Sequence, residues 1–351
     1  MDQASAAAIF FKNSWQAKLK GAFMLFRVLA VLVWAFNAGL ISNAAAVADG
    51  YPLRISVFIF VLLIAALVQG YPAHIVNEIY DWQSGADRAT PADSNSKPVA
   101  GGSKVIAAGL LTIADLWRLF YLTTGVIAAL AIFIARSGSW QLLWFFIPGF
   151  FFCLFYSMPP FRFAYRPFLG EFLGGFIGII LLVSGGYYAQ SATLPFTAIV
   201  LSLSLGFMYA AIMIFFHYID YKTDRLANPP KRTTVVYLGL EGSRIYAQAC
   251  AGAGTLLMLY LALAHHALYF ILVLQGLMIL YCHWRVQPDN GKSVVYWGKI
   301  MTYFILIAGL VFAVMIEPRF AGMIPVYLLG FWAHKRFGKL RPASYPAASV
   351  A

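Results

Sequence analysis

Long apolar runs separated by short polar breaks make up most of the chain, and the runs have the length of membrane crossings. A spanning helix needs about 20 mostly apolar residues. Nine segments meet or approach that length, at approximately 23–42, 55–76, 105–135, 140–158, 169–189, 196–218, 245–264, 267–284 and 294–316. The third is too long for a perpendicular crossing, which predicts a tilt or an interfacial turn at its start. A tenth apolar stretch, 320–332, is short, and an interfacial or re-entrant helix is expected there rather than a crossing. The expected fold is all-α: a polytopic membrane bundle of nine transmembrane helices with a short C-terminal interfacial helix. Residues 1–19 read as a cytosolic leader, 20–317 as one membrane domain, and 318–351 as the interfacial helix and tail.

Composition agrees with this pattern. Of 351 residues, 62% are hydrophobic and only 11% charged, against about a quarter charged in a soluble domain. The formal net charge of +12 does not call for a nucleic-acid partner, because Lys and Arg also collect in the cytoplasmic loops of membrane proteins. Numbering the crossings puts most of the basic residues on the face of the N-terminus and the even-numbered loops, among them Lys18, Arg88, Lys104, Lys222 and Arg285. The opposite loops offer little beyond Arg54 and Arg136. The rich face is therefore expected to be cytoplasmic, in an integral membrane protein of the bacterial inner-membrane kind. Lys335, Arg336, Lys339 and Arg341 fit this count only if the tenth segment crosses. Cys153, Cys250 and Cys282 lie in apolar runs without metal-ligand spacing and read as packing residues.

Acidic residues are scarce, so their placement carries information. One cluster, Asn77-Glu78-Ile79-Tyr80-Asp81 through Gly85 and Asp87, follows the second crossing, and Asp220 and Asp224 follow the sixth. Asn77 and Asp81 are four apart, as are Asp220 and Asp224, which places each pair on one helical face. Gly85 is suited to end a helix in a left-handed turn, allowing Asp87 to fold back toward Asp81. Hard divalent cations, Mg²⁺ above all, are held by one or two carboxylates while substrate phosphates complete the shell. Two such clusters facing one cavity would hold metal against a diphosphate. Lys97, Arg162, Lys231 and Arg232 are the basic residues placed to meet the remaining phosphate oxygens. The bland alternative is that acids at helix ends are simply solvated, but acids near the membrane are costly and usually functional.

These residues resemble the UbiA superfamily of intramembrane aromatic prenyltransferases, and most closely its 1,4-dihydroxy-2-naphthoate branch in menaquinone biosynthesis. The Asn77, Asp81, Asp87 spacing is similar to that branch. Further likeness comes from Lys97-Pro98-Val99, Tyr156-Ser157-Met158-Pro159-Pro160-Phe161-Arg162 with Gly170-Glu171, and Asp220-Tyr221-x-x-Asp224 with Lys231-Arg232-Thr233 and Leu238-Gly239. The likeness covers roughly residues 20–317. It implies that Asn77, Asp81, Asp87, Asp220 and Asp224 bind two Mg²⁺ with a polyprenyl diphosphate, that Lys97, Tyr156 and Lys231 approach the phosphates, and that an aromatic acceptor is prenylated through an allylic cation. The sequence departs from the family pattern at Glu78, at His217, and in lacking an Arg-Pro-x-Thr stretch near the first helix, where Arg27 is the nearest candidate.

Two other functions are compatible with the sequence. A terpene cyclase of the same superfamily would ionise the donor and quench the cation internally, and a transporter would use the acids as an ion site. His74 and His217, one turn before each motif, are expected to make satisfied hydrogen bonds within the bundle. Tyr80, Phe216 and Tyr221 are the aromatic residues with the best claim to line a cavity.

Overall fold

The computed structural model describes residues 14–87 and 102–337, and every element of regular structure among them is helical. Eight helices are long and apolar enough to cross a membrane: α1 (Trp15–Ala48), α2 (Ile55–Ser84), α3 (Ile113–Ile134), α5 (Gly170–Ser191), α6 (Phe196–Leu226), α7 (Thr234–Ala264), α8 (Ala267–Arg285) and α9 (Gly291–Ile316). A shorter apolar helix, α4 (Trp140–Phe155), stands between the third and fifth. A further helix, α10 (Met323–Phe337), follows the ninth. Position by position, these match the expected apolar segments. The long third segment resolves into turns at 105–109 followed by α3, which Thr112 and Asp115 start with a capping box, so the expected turn at its start takes up the excess length.

Local chemistry explains the irregularities that shape the interior. The α1 helix starts on Ser14, whose hydroxyl accepts the Ala17 N–H at 3.2 Å. It is interrupted at Arg27, which adopts a left-handed conformation with φ of 50°. Within α2, Pro72 has no N–H to continue the ladder, and the helix widens into a π-helical turn over Gln69–Ala73 before resuming at His74. Such breaks expose backbone only where it lines a cavity or is buried in protein.

The bundle is organised around α6, which buries Leu201, Leu205, Met208, Tyr209, Ile212 and Phe215 completely. In lipid, helices associate through close packing at small residues, and α6 meets α7 at Gly254. A Cβ at that position would lie 2.6 Å from the Ser204 carbonyl oxygen and 3.1 Å from the Met208 amide nitrogen. Backbone cannot retreat as a side chain can. Gly254→Val is therefore expected to cost about 1–3 kcal/mol through overpacking, read as a lower unfolding temperature of the purified protein. An unchanged midpoint would show that the two helices can separate there.

The last helix returns toward the end of the bundle where α1 begins. The residues just before it pack at the other end, Phe320 against Phe58 at 5.0 Å between rings. Gly330 then abuts Leu32, Phe331 meets Tyr303 of α9 at 5.4 Å, and Phe337 meets Phe23 at 5.5 Å. Thus α10 lies along α1 and α9 instead of flat on the surface, and it delivers Lys335 and Arg336 to the end where the other basic residues collect.

Candidate active site

The first acidic motif is built by the end of α2. Gly85, with φ of 82°, terminates the helix, and the Asp87 N–H then donates back to the Asp81 carbonyl at 3.2 Å. The Asp87 carboxylate packs against Gly102, where an added Cβ would come within 2.7 Å of Oδ2. Asp81 is the hub. Its Oδ2 accepts from Asn77 Nδ2 at 2.8 Å and from Lys231 Nζ at 2.7 Å, and its Oδ1 accepts from the Tyr165 hydroxyl at 3.1 Å. Asn77 also donates to Ser157 Oγ at 3.0 Å. Glu78 turns the other way: its Oε2 accepts the Ser103 N–H and hydroxyl and the Lys104 N–H at 2.9, 2.7 and 3.2 Å. It anchors the segment behind Asp87.

The second motif lies at the end of α6, and Lys231 joins the two. While its ammonium contacts Asp81, its backbone N–H donates to the Asp224 carbonyl at 3.0 Å. The Asn228 N–H reaches the Ser84 carbonyl at 2.7 Å, tying the segment after α6 to the end of α2. Asp224 is 3% exposed, and its Oδ2 accepts no hydrogen bond among the described residues. Burial works against the charged form of Lys231, but the carboxylates of Asp81 and Asp224 outweigh it and hold its pKa well above the ordinary ammonium value. Lys231 therefore stays cationic. Burial, with the Asp81 carboxylate adding to it, pushes the Tyr165 phenol up, so that it remains a donor.

Behind the motifs sits a buried polar network. Glu171 accepts from the Thr234 hydroxyl at 2.6 Å and pairs with His217 Nδ1 at 2.9 Å, and the other ring nitrogen of His217 meets the Tyr156 hydroxyl at 3.2 Å. His217 is thus satisfied on both nitrogens, as the sequence suggested. The Tyr156 phenol is raised by burial.

One cavity of about 1000 Å³ collects these groups. Asn77, Asp81, Asp87, Tyr156, Asp220, Asp224 and Lys231 all line it, as do His74 and Phe216. Tyr80 and Tyr221 do not. Arg162 and Arg232 line a separate shallow recess with Tyr165 and Pro230, where the Arg162 guanidinium lies over the Tyr80 and Tyr165 rings at 5.7 and 5.5 Å. Lys97 lies outside the described residues. From the acidic end the cavity follows α2 past Ile64 and Phe60 to Arg54, about 35 Å at 1.5 Å per residue.

Sequence reasoning did not single out Tyr165, which no motif marked. Ser157 lay inside a quoted motif but had no assigned role until Asn77 was seen to donate to it.

The donor set is all oxygen and amide, split between two facing helix ends. Among the described residues, no three His, Cys, Asp or Glu side chains come close enough to cage an ion. Carboxylate and amide oxygens of this kind suit a hard divalent cation that takes one or two protein carboxylates and fills its shell with other oxygens. The buried, unpartnered Oδ2 of Asp224 is suited to that use.

An acidic, cation-bridged chamber at one end of an apolar bundle defines a membrane-embedded protein with room for an anionic head and a long apolar tail. The chain belongs to the UbiA prenyltransferase family, whose model matches residues 32–297. Solved structures agree on the fold. A UbiA homolog from Archaeoglobus fulgidus bound to GPP and Mg²⁺ superposes with a TM-score of 0.62 at 16% identity, covering 84% of this chain and 99% of that one. The apo structure of a UbiA homolog from Aeropyrum pernix K1 gives 0.57 at 17% identity, covering 83% and 96%. A digeranylgeranylglyceryl phosphate synthase gives 0.55 at 15%, covering 85% and 99%. Among curated proteins, none matches at the sequence level.

Proposed function

We propose that this protein transfers a prenyl group from a polyprenyl diphosphate to an aromatic acceptor of the 1,4-dihydroxy-2-naphthoate type, in Mg²⁺, with the motif end facing the cytoplasm. The observation that carries the reading is the convergence of Asp81 and Asp224 on one cavity, with Lys231 contacting both motifs. Two neighbours of the same fold were solved with GPP or DMAPP and Mg²⁺, which supports a prenyl diphosphate as the donor class.

The roles follow from the geometry. Asn77, Asp81, Asp87, Asp220 and Asp224 would hold the divalent ion, which supplies positive charge to the departing diphosphate. Lys231 adds a second, fixed cation there. Tyr165 and Asn77 lock the Asp81 carboxylate in place, so that little reorganisation is needed when charge develops on the leaving group. The donor's C–O bond breaks to give an allylic cation beside the rings of Trp34 and Phe216, whose centroids are 5.9 Å apart. Aromatic faces stabilise such a cation. An electron-rich acceptor carbon then forms the new C–C bond and loses its proton to restore aromaticity. The prenyl tail occupies the apolar run toward Arg54, where each buried CH₂ contributes about 0.8 kcal/mol.

Purified protein given a polyprenyl diphosphate and the acceptor should form a prenylated aromatic in Mg²⁺, lose activity in EDTA, and recover it when Mg²⁺ is restored. Undiminished turnover in chelator would overturn the reading. A cyclic product formed without acceptor would assign the chain to cyclase chemistry instead.

A further inference from the structure

The recess beside the chamber is a basic hollow in its own right. Arg162, Arg166 and Arg232 line it, together with Tyr165, Phe161 and three prolines. No acid is among its lining residues, and among the described residues none of the three arginines makes an ion pair. Proline contributes no N–H to a wall, and the Tyr165 hydroxyl is already engaged by Asp81 and Ser84. What the recess offers a ligand is positive charge. The Tyr165 ring also has two cations against it, Arg162 at 5.5 Å and Lys231 at 5.9 Å from the centroid. Lys231 is matched by the Asp81 carboxylate, whereas Arg162 has no such match.

Arg162 is held there at a cost. Its φ of 45° lies in the left-handed region, which a residue with a side chain enters unfavourably, and its buried Nε has no hydrogen-bond partner. A buried donor left unmatched adds a further penalty unless a ligand satisfies it. A solvated loop arginine would carry neither. The rim of the recess is apolar and runs into the membrane face. The Phe161 ring meets Phe155 and Phe151 of α4 at 5.0 and 5.6 Å, and from there the exposed face of α4 continues through Ile147 to Trp144. These positions are three or four apart and form one stripe, which spans about 16 Å from Phe155 to Trp144 at 1.5 Å per residue. A lipid-facing stripe is ordinary on a membrane helix; this one ends in three arginines.

We infer that the recess binds an anionic phospholipid, with the phosphate taken by Arg162, Arg166 and Arg232 and one acyl chain lying along Phe151, Ile147 and Trp144 of α4. Guanidinium forks suit phosphate oxygens, and the aromatic rim leads from that head position directly to the lipid-facing stripe. A zwitterionic lipid brings the same phosphate with a cation attached, which three arginines disfavour. The site stands apart from the acids of the chamber and does not depend on the prenyl-transfer reading. Its link to the chamber is Tyr165, whose ring lies against Arg162 and whose hydroxyl donates to Asp81. An occupied recess therefore steadies the tyrosine that steadies Asp81.

Lipid competition tests this without turnover. The full-length protein, delipidated in neutral detergent and offered equal amounts of phosphatidylglycerol and phosphatidylcholine, should retain the first about tenfold in preference by native mass spectrometry, as charge-assisted hydrogen bonds would give. Arg166→Gln and Arg232→Gln should each cut that preference at least about threefold. Arg162→Gln should do the same, and if its strained backbone prevents folding, the two other variants decide. Arg285→Gln removes an equal charge from the end of α8 and should leave the preference unchanged. Equal retention of the two lipids overturns the site, as does an undiminished preference in Arg166→Gln and Arg232→Gln. An equal drop in Arg285→Gln overturns it too, since the attraction would then be diffuse surface charge. Saturating geranyl diphosphate with Mg²⁺ should leave the bound phosphatidylglycerol in place. Its displacement would mean that the lipid occupied the chamber or that the recess serves the donor's diphosphate, and either result overturns the assignment.

Discussion

Asp81→Asn is expected to lower prenyl transfer by about 10³-fold while leaving the protein folded. Asn keeps the shape and most of the hydrogen bonds of the hub, so Asn77, Tyr165 and Ser157 stay near their places. What disappears is the charge. The Lys231 ammonium loses the carboxylate 2.7 Å away, and a divalent cation loses an anionic ligand at the point where two helices converge. Losses of this size are typical when an electrostatic group acting on the transition state is removed. Turnover of geranyl diphosphate with a hydroxynaphthoate acceptor, beside a thermal melt of the same preparation, checks both halves. A fully active Asp81→Asn would mean that Asp81 only seats Lys231.

The second large effect concerns stability. Glu171, 1% exposed, holds His217 and Thr234 at once, and the Thr234 hydroxyl in turn accepts the Phe168 N–H at 2.9 Å. Glu171→Leu strips two buried donors of their acceptor. Each unsatisfied buried polar group costs about 1–3 kcal/mol, so a loss of about 3 kcal/mol is expected, seen as a clear drop in denaturation midpoint. Adding His217→Leu should return part of it, because a buried polar pair replaced as a whole by apolar groups is often neutral. If the double variant is less stable than the single one, His217 is held chiefly by Tyr156, and the network has been misread.

The sequence shows unequal amounts of fold and site. The crossings were legible because lipid enforces one rule, about 20 apolar residues per helix, and α6 or α8 cannot hide from it. The Asn77, Asp81 and Asp224 spacings were legible because helical periodicity fixes which side chains share a face. Gly85 announced the turn that folds Asp87 back, since few other residues tolerate a left-handed backbone there. Tyr165 and Glu171 were not legible as partners, because their contacts are set by how distant helices pack. Arg162 and Arg232 looked suited to phosphate by charge and proximity in sequence. Their side chains line a recess of their own, and no periodicity could have distinguished them from Lys231. The course of α10 was equally hidden: a short apolar stretch reads the same whether it lies flat or runs along two neighbours.

That course has a consequence for biogenesis. Helix α10 leaves the ribosome after every other described helix, yet it contributes His334 to the chamber wall between α1 and α9. A chain halted before Met323 would therefore hold all four motif acids and Asn77 in a chamber whose wall still lacks that side chain.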